Sequence, residues 1–173
     1  WKTIYFSFGS VPFLLIFGLA TALLLNKKLK GMSFYRGLFF MPYISSMVAV
    51  ALVFTALFHP RYGIINSILI AIGINNPPLW LASTDWAMPV IIIVYIWKNF
   101  GYYAVIYLAG LQGISDSYYE AARIDGASWW QSFRHITLPL LSPVTFFSTI
   151  IAILSTFKIF DQVYVMTQGG PGR

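Results

Sequence analysis

Cysteine is absent from the 173 residues, which excludes disulfides, thiolate metal sites and cysteine nucleophiles and leaves no thiol from which to read a redox compartment. Charge is nearly as scarce. Asp, Glu, Lys and Arg make up 9% of the chain, against about 25% in an ordinary soluble domain. Only two histidines occur, His59 and His135, and the topology read below puts them on opposite sides of a membrane, so no metal site is expected. No G-x-x-x-x-G-K-[ST] stretch is present. The glycine-rich end, Gly169-Gly170-Pro171-Gly172-Arg173, lacks the lysine, the hydroxyl residue and the following helix with which a P-loop cradles phosphates. No nucleophile, base and orienting acid cluster, so no catalytic residue is named and the chain is not read as an enzyme. The first residues lack the basic start and small-residue cleavage site of a signal peptide. No fixed-period repeat, low-complexity tract or linker divides residues 1–173, which read as a single domain.

What is abundant is apolar. Hydrophobic residues make up 58% and aromatics 18%, including six Trp and eleven Tyr, and the mean hydropathy is +0.74. That is the composition of an all-α integral membrane protein, with aromatic rings suited both to headgroup depth and to helix packing. Crossing a bilayer as a helix takes about 20 apolar residues, and four windows qualify: residues 4–25, 37–58, 86–111 and 140–164. Pro42, Pro89 and Pro143 fall near the starts of their windows, where a missing amide hydrogen costs least, while Pro12 lies deeper in the first and is a candidate kink. The connection 26–36 carries Lys27, Lys28, Lys30 and Arg36 without an acid, and 112–138 carries Arg123, Arg134 and His135. The remaining loop holds only Arg61 and Asp85. This bias places 26–36 and 112–138 in the cytoplasm of a multi-pass protein. Although the net charge is +6, the cations are scattered over loops, so nucleic acid is not an expected partner and the bilayer is. In the other loop, YGIINSILIAIGI is too short to span and reads as a short surface helix.

The most polar stretch, EAARIDGASWWQSFRHITLPLL, runs from Glu120 to Leu141 between two apolar windows. Ser117 and Glu120, then Ser128 and Gln131, have the spacing of capping boxes, and Asp125-Gly126 between them stops the first helix. The spacing predicts helix, turn and helix at the inner surface, with Trp129, Trp130, Phe133 and Ile136 largely on one side. Such a segment is either a plain connector or a surface built to be gripped. A DNA-binding helix-turn-helix is the weaker alternative, because the flanking spans hold both ends at the membrane and only Arg123 and Arg134 could meet phosphates.

EAARIDGA, followed by Phe133, Ile136, Thr137, Leu138 and Pro139, resembles the EAA loop of permease subunits of bacterial binding-protein-dependent ABC importers. The resemblance continues through LAGLQGI, FDQVYVMTQGGP, FYRGLFFMPY and YGIIN, covers nearly the whole chain, and is closest to the sugar branch, of the maltose and glycerol-3-phosphate type. It implies a type I importer transmembrane helical bundle in the bacterial inner membrane, paired with a second, homologous permease. It implies two separate ATPase subunits holding ATP and magnesium, no cofactor in this chain, and an external solute-binding protein. Within the EAA loop, residues 115–138, it implies an ATPase-coupling role for Glu120, Ala121, Ala122, Arg123, Asp125 and Gly126. Relatives usually carry one more span on each side, so the resemblance also implies a longer subunit.

Polar groups inside the windows are candidates for a solute path, because charge in a bilayer is costly. Tyr95, Lys98, Asn99 and Tyr102 cluster in the third window and Ser155, Thr156 and Lys158 in the fourth, a mix of hydroxyls, amides and aromatic faces that suits a sugar. The other reading has Asn99, Ser155 and Thr156 bonding between helices and Lys158 pairing with Asp161. If both lysines face the path, the solute is anionic, a sugar phosphate or a uronide oligosaccharide. An ion-coupled secondary transporter is the remaining alternative, though it favours mid-span carboxylates and inverted repeats, which are missing here.

Overall fold

A computed structural model describes residues 1–27, 31–167 and Gly170, with the side chains of all of these except Phe160 and Asp161. Lys28 and Lys30 of the basic connection, the Asp161 carboxylate and the ending at 168, 169 and 171–173 therefore lie outside the described residues. Among those described there is no strand. Helix α1 is Lys2–Leu25, α2 Met32–Ile44, α3 Met47–Leu57, α4 Ile64–Ala71 and α5 Ala87–Gln112, with a single 3-10 turn at Trp80–Ala82. Then come α6 Asp116–Ile124, α7 Trp129–Ser132, a π turn at Phe133–Thr137, α8 Leu138–Leu140, α9 Ser142–Thr156 and α10 Phe160–Thr167.

Helices α1 and α5 are each long and apolar enough to cross a bilayer, and α1 runs on through Pro12. The windows 37–58 and 140–164 are each divided. Pro42 sits in the last turn of α2, without an amide hydrogen to donate, and Ser45 and Ser46 separate α2 from α3; serine competes for backbone hydrogen bonds and ends helices readily. At the other window the segment Trp129–Leu140 bends by 63° into Ser142–Thr156 at Leu141, and α9 gives out at Thr156 before α10 begins.

The chain groups into two compact units made of discontinuous segments. Unit 1 takes Trp1–Ser10, Ile44–Lys98 and the chain from Leu154 on; unit 2 takes Val11–Tyr43 and Asn99–Ile153. In unit 1 the start of α1 meets α5 through the ring edge of Phe6 on Tyr95, centroids 5.1 Å apart, and through Gly9, where a Cβ would stand 2.8 Å from the Ile92 side chain. Ser7 and Thr156 share a 2.6 Å hydroxyl hydrogen bond. Helix α10 packs on α3, and its buried Gln162 donates to the Ile91 carbonyl at 2.9 Å. In unit 2 glycines permit the close crossings. A Cβ at Gly18 would press on Tyr103, at Gly101 on the Phe39 backbone, and at Gly110 on Leu141 and Val144. Small residues at such crossings let helix backbones approach where water supplies no driving force between helices. Large apolar side chains remain outside, among them Phe8, Ile16, Phe146 and Phe157, as a lipid-facing surface requires.

Candidate functional site

The polar stretch folds as an elbow within unit 2. Its first helix begins earlier than the spacing of Ser117 and Glu120 predicts. Ser115 is the N-cap, its hydroxyl accepting from the Ser117 amide at 3.3 Å, so Glu120 falls too far along α6 to close a capping box. The correction has a local cause: Ser115 comes first and lets Asp116 enter the first turn, where a carboxylate complements the helix dipole, as Arg123 does in the last turn. Gly126 ends the helix with φ +76°. Its amide donates to the Arg123 carbonyl at 3.1 Å and the Ala127 amide to the Ala122 carbonyl at 2.8 Å, the pair of bonds that makes a Schellman stop. A Cβ at Gly126 would meet nothing within 4 Å, so backbone conformation alone requires glycine there.

Ser128 then caps α7 in the expected box: its hydroxyl accepts from the Gln131 amide at 3.3 Å, and the Gln131 side chain accepts from the Ser128 amide at 2.7 Å. Beyond it the chain departs from a regular helix. The π turn at Phe133–Thr137 carries more residues per turn than an α-helix, and Ile136 falls within it. Trp129 and Phe133 stack at 5.5 Å and line one cavity, while Ile136 lines another with Asp125 and His135. The two arms are tied by Tyr119, whose hydroxyl bonds the Thr137 hydroxyl at 3.0 Å. Thr137 is buried and itself reaches the Ser132 carbonyl.

Glu120, Ala121, Arg123, Asp125 and Gly126 are exposed and Ala122 is half-buried. The sequence reading missed two exposed apolar neighbours on α6, Tyr118 at 55% and Ile124 at 87%; an isoleucine in the last turn of a short polar helix was the available signal. It also missed the Tyr119–Thr137 tie, which only the fold brings together.

The polar groups of the windows are distributed. Tyr95, Lys98, Ser155, Thr156 and Lys158 belong to unit 1, Asn99 and Tyr102 to unit 2. Tyr95 and Lys98 are buried, and Thr156 is buried against Ser7. Tyr102 stacks on Tyr43 at 4.7 Å. Asn99 and Ser155 are half-buried, whereas Lys158 is exposed in the turn after α9. The proposed Lys158–Asp161 pair involves a side chain outside the described residues. His59 stacks on Tyr62 in unit 1 and His135 belongs to unit 2, and no group of three or more His, Asp or Glu among the described residues is placed to hold a metal.

Long apolar helices, glycine-mediated crossings and lipid-facing aromatics define an all-α integral membrane protein. The chain belongs to the binding-protein-dependent transport system inner membrane component family, which it matches over residues 14–172. It is 40% identical over 173 residues to the lactose transport system permease protein LacF of Rhizobium radiobacter, covering 99% of this chain and 58% of that protein. It is 39% identical to the trehalose/maltose transport system permease protein MalF of Thermococcus litoralis, covering 98% and 57%. To the sulfoquinovosyl glycerol transport system permease protein SmoG of Agrobacterium fabrum it is 37% identical, covering 99% and 56%. The chain thus spans a little over half the length of these relatives. Its fold is that of a chain in the crystal structure of a bacterial ABC transporter involved in import of the acidic polysaccharide alginate, with TM-score 0.82 and 27% identity over 95% of this chain and 61% of that one. The same fold matches that transporter in complex with an alginate pentasaccharide-bound periplasmic protein.

Proposed function

We propose that the chain is the core of the permease subunit of an ATP-driven importer that moves a sugar or oligosaccharide delivered by an external solute-binding protein. Hydrolysis takes place on two separate ATPase subunits, and a second, homologous permease completes the path. The elbow faces the cytoplasm with the loops 26–36 and 112–138, and Glu120, Ala121, Ala122, Arg123, Asp125 and Gly126 form the surface that an ATPase subunit grips. The observation that carries this reading is the doubly capped elbow. A segment fixed by a Ser115 cap, a Gly126 stop, a Ser128–Gln131 box and a Tyr119–Thr137 tie transmits a displacement of α6 into α9, whereas a loose connector absorbs it. The exposed Tyr118 and Ile124 give a partner an apolar hold. Purifying the full-length subunit tests this: a P-loop ATPase should come down with it and be lost when Glu120→Lys and Gly126→Pro are combined. Undiminished recovery of the ATPase with that variant contradicts the assignment.

A second reading, an anionic solute, draws support from the alginate importer's fold and from Lys98 and Lys158 beside Tyr95, Asn99, Tyr102, Ser155 and Thr156 in the windows. Titrating the cognate binding protein with neutral and acidic sugars separates the two. Lys98→Met should then shift preference away from acidic solutes, and an unchanged preference removes the lysine from the path. Accumulation driven only by a proton or sodium gradient would favour a secondary transporter instead.

A further inference from the structure

Unit 2 contains a cavity of about 460 Å³ beside the elbow, lined in part by Ala127 and Ser132. Its walls include Leu23 and Leu111, in the last turns of the two helices long enough to cross a bilayer, α1 and α5. A cavity at the ends of two spans lies where hydrocarbon gives way to headgroups. Lys27 and Arg123 both line it, and no carboxylate among the described residues does. Ser132 adds a hydroxyl, and the stacked Trp129 and Phe133 rings add an apolar wall. Trp129 is 69% exposed and its neighbour Trp130 58%, as rings at headgroup depth are.

We infer that this cavity is a binding site for the headgroup of an anionic phospholipid, with Lys27 and Arg123 on the phosphate and the glycerol and upper acyl chains along Trp129 and Phe133; of the six residues assigned to the ATPase surface only Arg123 lines the cavity, which leaves the other five to that subunit. Two cations unopposed by an acid favour a phosphodiester, and basic pockets between the ends of spanning helices take such headgroups. The apolar wall distinguishes a lipid from a free anion, which gains nothing from it. A lipid held there touches α1, α5, α6 and the π turn together, so the elbow's seating depends on bilayer composition.

The test uses the full-length subunit in its purified complex, in phosphatidylcholine nanodiscs titrated with labelled phosphatidylglycerol. Lys27→Gln and Arg123→Gln should each weaken phosphatidylglycerol binding about five-fold, the worth of one cation near an anionic surface, and the double variant more. Lys27→Arg, which keeps the charge, should restore it, separating lost affinity from lost folding. Arg61→Gln, in unit 1, should leave it unchanged. Unaltered affinity in the double variant overturns the site, and so does displacement of the lipid by inorganic phosphate at matched concentration, which would make it a free-anion pocket.

Discussion

The elbow and the loop between α3 and α5 hold irregular backbone in place by opposite means. No residue of α6 or α7 is buried, yet the elbow is fixed, because its caps join residues two to five apart and the Tyr119–Thr137 bond ties its two arms. The loop is fixed by one buried side chain. Asn66, 3% exposed on α4, donates to the Pro60 carbonyl at 2.9 Å, lies 3.5 Å from the Pro78 carbonyl, and accepts from the Trp80 indole. Trp80 in turn sits edge-on to Phe58 and Trp86, and it adopts φ +48°, a conformation a bulky residue holds only when its surroundings enforce it. Local caps leave a surface free for a partner. A buried polar hub closes its loop from within.

If that contrast is right, the loop should fail at one residue and the elbow should weaken in steps. Asn66→Leu strands the Trp80 indole and the Pro60 carbonyl without partners, and thermal unfolding in detergent should show a loss of about 3 kcal/mol; an unchanged midpoint would mean that the aromatic contacts alone hold the loop. Gly126→Ala comes next, at about 1–2 kcal/mol, since only the left-handed backbone and no neighbour opposes the methyl group. Gly126→Asn should cost less. An equal cost for both would point to a contact in place of a backbone preference. Ser128→Ala should lose about 1 kcal/mol by removing one half of the capping box, and a second substitution at Gln131 should add little if the two act as a unit. The smallest effect belongs to Tyr119→Phe, about 0.5 kcal/mol, because Thr137 keeps the Ser132 carbonyl as a partner. A larger loss there would transfer the elbow's rigidity from its caps to the tie between its arms.

The same contrast explains what could be read from the amino-acid order. The helical membrane class follows from composition, and Gly126 and the Ser128–Gln131 box follow from signals only a few residues apart. Ser115 was displaced by a rival pattern at Ser117, because a serine three residues before a glutamate looks the same whether or not an earlier serine has already begun the helix. The π turn at Phe133–Thr137 left no trace in spacing. Asn66 and the Tyr119–Thr137 bond were illegible, since each depends on partners that only tertiary folding brings near. Of the polar groups in the windows, Thr156 shows the difficulty most plainly: a threonine next to Ser155 and two residues before Lys158 looks like part of a polar patch, and folding buries it against Ser7.

The measurement that bears most directly on the elbow as a rigid transmitter is uptake by the complete transporter carrying Gly126→Pro, with its binding protein and solute supplied. Proline cannot adopt φ +76° and removes the amide that bonds the Arg123 carbonyl. Uptake should be abolished, while basal ATP hydrolysis continues and no longer responds to the binding protein. Uptake at the unmodified rate, with hydrolysis still stimulated, would contradict the account.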